Sequence, residues 1–169
     1  ERTGTWHYGA QYLAWGVDKK QGHTGNSSLR TSWAGEPLKG IEQSASLIVP
    51  GVTPSGNDQL HFALRTQSLG TSSCDADVLT VSIDGKDIYK RCKNTSNWLV
   101  MTFDLTPWTG QKVDIKFEVS TGSTASAKGM VWLDDIAISG ACTYTCFVEN
   151  FDTSALGRWA TFSDDGKNL

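Results

Sequence analysis

The chain has 169 residues, 38% of them hydrophobic, with 15 Lys and Arg against 18 Asp and Glu for a net charge of −3. That length fits one domain of about 100–150 residues plus a remnant. There is no basic stripe to neutralise a phosphate backbone, which argues against nucleic acid, and no apolar run of the roughly 18–20 residues that insert in a membrane as a helix.

Taken in chain order, the sequence predicts strands and turns. Gln11–Val17 is apolar and aromatic, and Ser27–Trp33 follows the loop Asp18–Asn26. Gln43–Val49 alternates, with Ala45, Leu47 and Val49 on one face against Ser44, Ser46 and Ile48. Leu60–Arg65, Val78–Ile83 and Asp87–Lys90 are further strand-like runs, the last two joined by the turn residues Asp84-Gly85-Lys86. Trp98–Leu105 places Leu99, Met101, Phe103 and Leu105 on one face. Gln111–Val119 does the same with Val113, Ile115, Phe117 and Val119. Val131–Ile138 is a final long strand. Many short strands joined by turns predict an all-β, antiparallel two-sheet sandwich, with a jelly roll the leading topology at this length. The sandwich is expected over residues 1–141, and 142–169 reads as a tail.

The four cysteines are Cys74, Cys92, Cys142 and Cys146. An even count in a chain of this composition points to disulfides and an oxidising compartment, hence to a secreted protein. Cys74 and Cys92 flank a predicted hairpin, which brings them together as a pair. Cys142 and Cys146 either bridge locally or each pair with a cysteine lying outside this chain. Asn26-Ser27-Ser28 and Asn94-Thr95-Ser96 match the glycosylation acceptor pattern.

No catalytic motif is present: no H-E-x-x-H, G-x-S-x-G, P-loop or dinucleotide fingerprint. The one triad-like grouping is His23 with Ser27 and Asp18. Asp134 and Asp135 are adjacent on a predicted strand, so their side chains are expected on opposite faces and not as a glycosidase pair. These observations predict a chain that is not itself an enzyme.

Val131-Trp132-Leu133-Asp134-Asp135-Ile136-Ala137-Ile138, followed by Cys142, resembles the closing segment of MAM-type domains. Gly22-His23-Thr24-Gly25-Asn26-Ser27-Ser28-Leu29 resembles their early small-residue loop, and the same pieces occur in galactose-binding-like jelly rolls. The opening segment of such modules is matched not at the start of this chain but by Val148-Glu149-Asn150-Phe151-Asp152 and Gly157-Arg158-Trp159, as in the opening of a following or a permuted module. The resemblance implies a non-catalytic adhesion or substrate-targeting module of a larger secreted protein, with a peptidase as the first parent to name. It also implies a structural calcium. Asp134 and Asp135 are its expected ligands, with Asp18, the Gly22–Asn26 loop carbonyls, Glu149 and Asp152 as co-ligands. The alternative for the acidic pair is a hydrogen-bonded carboxylate at a strand bulge.

The seven tryptophans carry a second functional reading, a carbohydrate-binding module, because exposed aromatic rings stack on sugars. Trp108 is expected to be exposed in a turn, and Trp6 and Tyr8 cluster near the start. The partners expected are therefore an extracellular protein or a polysaccharide. Phe147, Val148 and Phe151 give the tail the composition of a strand that satisfies an open sheet edge, in its own molecule or, by self-association, in another.

Overall fold

The structure, a computed structural model, describes residues 12–34, 43–67, 69, 74, 77–121, 129–140, 148, 149, 151, 152 and 160–163. Trp6, Tyr8, Cys142 and Cys146 lie outside the described residues.

The strands follow the alternation of the sequence. They are β1 (Tyr12–Asp18), β2 (Ser28–Ala34), β3 (Gln43–Val52), β4 (Gln59–Gln67), β5 (Val78–Ile83) and β6 (Lys86–Arg91). Then come β7 (Leu99–Asp104), β8 (Val113–Thr121), β9 (Met130–Ser139), β10 (Val148–Glu149) and β11 (Ala160–Ser163). One 3-10 turn, Thr106–Trp108, joins β7 to β8.

The strands form two antiparallel sheets packed face to face, an all-β jelly-roll sandwich. One sheet runs β1-β2-β9-β4-β7, with β10 also beside β9, and the other runs β11-β3-β8-β5-β6. Period two explains the packing. Ala45, Leu47 and Val49 of β3 and Val113, Ile115, Phe117 and Val119 of β8 all face inward and are buried. They meet Leu60, Phe62 and Leu64 of β4, and Phe62 stands edge-on to Phe117 at 5.2 Å. Cys74 and Cys92 are bonded across the β5–β6 hairpin. No helix among the described residues is long and apolar enough to cross a membrane.

The tail takes part in both sheets. β10 pairs with β9, Val148 opposite Ala137 and Glu149 opposite Ile136. β11 pairs with β3 over Ala160–Ser163. Phe151 enters the core and is buried, although its φ is +58°.

β9 is where the pieces meet. One of its edges is covered by β4 along its length. Its other edge is shared: Trp132 and Leu133 pair with β2, while Ile136 and Ala137 pair with β10. The change of partner falls at Asp134–Asp135. There the β4 register slips between His61 and Ala63, and Asp135 has φ +49°. This is a β-bulge. The extra residue lets Val131 and Leu133 before it, and Ile136 and Ile138 after it, all point into the core.

Candidate functional site: the junction of loop 19–27, the β9 bulge and the tail

The bulge corrects one expectation. Asp134 and Asp135 do not point to opposite faces, because the positive φ at Asp135 breaks the strand alternation and turns both carboxylates toward the same loop. That loop, residues 19–27, connects β1 to β2 and lies over the outer side of β9.

Asp134 is fully buried. Its Oδ2 accepts N–H bonds from His23 at 2.6 Å and Thr24 at 3.2 Å, and its Oδ1 accepts the N–H of Asp135 at 2.8 Å. Burial pushes its pKa up to about 6, against the pull of those three N–H groups; the neighbouring Asp135 charge adds to the rise. Asp135 is half-buried. It accepts the Thr24 hydroxyl on Oδ1, and its Oδ2 lies 2.6 Å from His23 Nδ1. The other side of the His23 ring meets Trp98 edge-on, 5.9 Å between centroids.

The tail closes the loop from its other end. Asp152 Oδ1 accepts the N–H groups of Asn26 and Ser27, each at 3.1 Å. Gly25, at φ +65°, turns the chain past this carboxylate, and a Cβ there would collide with it. Gly22 is needed for a different reason: a Cβ would press on the Thr24 and Ser27 carbonyls at 2.7 and 2.9 Å. The loop thus turns backbone N–H groups, not carbonyls, toward the acids around it.

Asp18 belongs to a neighbouring cluster. It accepts Trp132 Nε1–H at 3.1 Å and the Lys20 N–H at 3.0 Å, and it pairs with Arg30 at 3.3 Å. Arg65 lies over the Trp132 ring and donates to Gln21 Oε1 at 2.5 Å. Trp132 is consequently buried on the outer side of the sheet. The grouping of His23 with Ser27 and Asp18 is not assembled: His23 Nδ1 is taken by Asp135, and the Asp18 carboxylate by Trp132, Lys20 and Arg30.

The expected calcium ligands are therefore partly together. Asp134, Asp135 and Asp152 surround one loop, Asp18 stands apart with its own donors, and Glu149 contributes a backbone pairing to β9. Among the described residues no group of three or more His, Cys, Asp or Glu converges in a form that holds a metal ion. Calcium bound there would require His23 and Thr24 to release Asp135, and loop carbonyl oxygens to replace N–H groups.

Trp108, expected to be exposed, is half-buried. It packs against the core from the 3-10 turn, and Lys86 Nζ lies 5.6 Å from its ring centroid. The turn residues Pro107 and Gly110 predicted a loop there; nothing local in the sequence tells that its Trp folds back. Trp98, which the sequence marks only as a strand start, is as exposed as Trp108. No protein-family profile and no curated protein sequence matches the chain.

Proposed function

We propose that this chain is a non-catalytic recognition module of a larger secreted protein, serving adhesion or substrate targeting. The observation that supports this is how the acids are used. Asp18, Asp134, Asp135 and Asp152 each hold loop backbone or a neighbouring side chain in place, so the cluster acts as construction. The Cys74–Cys92 bridge fits an oxidising compartment. A secreted peptidase is the parent that the resemblance names first.

A carbohydrate-binding role is the second reading. It is favoured by Trp98, partly exposed and braced by His23, rather than by Trp108, which is equally exposed but packs against the core.

Cell adhesion to surfaces coated with the chain separates the two. Adhesion that survives enzymatic removal of cell-surface glycans supports the first reading. Adhesion lost on glycan removal, and lost with Trp98→Ala, supports the second. A coated surface that holds no more cells than a denatured control defeats both.

Calcium at the junction stays a proposal that rests on the resemblance; it needs His23 and Thr24 to release Asp135 and loop carbonyls to replace the N–H groups around Asp134, Asp135 and Asp152. Binding to the folded state alone adds about 2.7 kcal/mol at a hundredfold excess over Kd. A melting temperature several degrees higher in calcium than in chelator supports it, and superimposed curves dispose of it.

A further inference from the structure

The described parts of the tail are held at four separate points. β10 lies along β9, with Val148 opposite Ala137 and Glu149 opposite Ile136. Phe151 is buried in the core. Asp152 Oδ1 takes the N–H groups of Asn26 and Ser27. β11 pairs with β3 in the other sheet, from Ala160 opposite Ile48 to Ser163 opposite Ala45. The groups that hold these points lie in loop 19–27, β3, β9 and the core between the sheets. They form a seat built by the body of the chain.

The seat is selective. Any extended segment can pair with a free sheet edge, but this one also takes an aromatic ring and the carboxylate of the very next residue. Phe151, at φ +58°, sends its ring inward while Asp152 meets the loop. Gly25 leaves the room that this carboxylate fills, and a Cβ there would collide with it. A second strand then has to reach β3. An unrelated strand lacks the Phe-Asp step and the strand that follows it. The tail of another copy of this chain carries all of them.

The seat makes the same contacts with its own tail as with an identical tail from another molecule. Its own tail wins by proximity alone, since a short tether holds a segment at an effective concentration on the order of millimolar. Exchange of an identical element between copies keeps every contact and is a low-cost route to association. Copies crowded to a comparable concentration therefore trade tails.

We propose that the tail and its seat are an exchangeable pair, and that the partner the seat accepts is a second copy of this chain, docked through its residues 148–163. Reciprocal exchange closes a dimer, and one-way exchange links copies head to tail. This contact assembles the module with itself, whatever the module recognises, so it stands apart from the proposed function and is tested separately.

Two full-length variants test it. The donor carries Gly25→Ala, which spoils the seat and leaves the tail intact. The acceptor carries Phe151→Ala with Asp152→Ala, which leaves the seat intact and strips the tail of its anchors. They are unfolded in urea, mixed, refolded together at about half-millimolar each, near the tethered concentration, and separated by size exclusion with light scattering. The mixture is expected to give a 1:1 complex, roughly tenfold more of it than either variant gives alone, melting several degrees above both parents. If a variant alone loses its near-ultraviolet circular dichroism, the mixture should regain it. A mixture of monomers whose melting curve is the sum of its parents overturns the proposal, as does one that regains no native signal. A complex that persists when the donor also carries Phe151→Ala and Asp152→Ala overturns it too, because the contact then lies elsewhere.

Discussion

Asp152 occupies the space that a side chain on Gly25 would fill. The glycine, at φ +65°, lets the chain pass, and the carboxylate takes the N–H groups of the two residues that follow, Asn26 and Ser27. The tail and the β1–β2 loop thereby fit each other as two halves of one contact.

That fit predicts non-additive mutants. Gly25→Ala adds backbone strain of about 1–2 kcal/mol and evicts Asp152. Asp152→Ala removes a charged acceptor from two amides, at about 1.5–3 kcal/mol. In the double variant the collision is already gone, so the combined loss should fall short of the two single losses by roughly 1 kcal/mol or more. Urea unfolding of the four proteins measures this; strict additivity would show that the loop does not hold Asp152.

Phe151 anchors the tail by burial. Replacing it with Ala leaves a cavity among core side chains and should cost about 3–5 kcal/mol. Removing residues 148–169 should cost at least as much, since β3 also loses β11. An unchanged melting temperature after truncation would mean that the tail is not part of the cooperative unit.

Asp134 gives the fold a specific pH dependence. Its pKa rises from 3.8 to about 6 on folding, so the folded state binds this proton more tightly. Its contribution is full below the unfolded value and is lost as pH rises through the folded one, by up to about 3 kcal/mol. Asp134→Asn removes the titration. It should also be less stable near neutral pH, because its amide group would face N–H donors. The difference between wild type and this variant, followed in chelator from pH 4.5 to 7.5, should shrink as pH rises. A constant difference would show that Asp134 keeps an ordinary pKa.

The Cys74–Cys92 bridge closes the β5–β6 hairpin over a separation of 18 residues. In the loop-entropy account a bridge of that span contributes about 3 kcal/mol. Reduction, or Cys74→Ser with Cys92→Ala, should lower the urea midpoint accordingly. Peptide mapping that finds both thiols free would contradict the pairing.

The strands were legible because alternation and burial express the same physics. Gln43–Val49 and Gln111–Val119 bury the face that their pattern marks, and Trp98–Leu105 turns its marked face inward but only half-buries Leu99, Met101 and Phe103. The hairpin disulfide was legible for the same local reason. The junction was only half legible. The acids and the Gly-rich loop could be picked out, and a hydrogen-bonded carboxylate at a bulge was the alternative reading of the acidic pair, which two carboxylates interrupting an apolar strand suggest; the register slip against β4 that turns both toward one loop depends on a strand distant in sequence. The side chain of Trp108 depends on Lys86, and that of His23 on Asp135 and Trp98, all partners distant in sequence.

The shared edge of β9 has a consequence for biosynthesis. Loop 19–27 emerges from the ribosome early, yet its last two amides find their acceptor only when Asp152 follows, 126 residues after Asn26. Until then β9 has no β10, and the place of Phe151 in the core is empty. The junction can therefore close only after the tail is made, and long-range pairing of this kind makes for slow folding. Nascent chains whose residue 152 has not left the ribosome should carry apolar surface that chaperones recognise, and release of the tail from the ribosome should end that recognition.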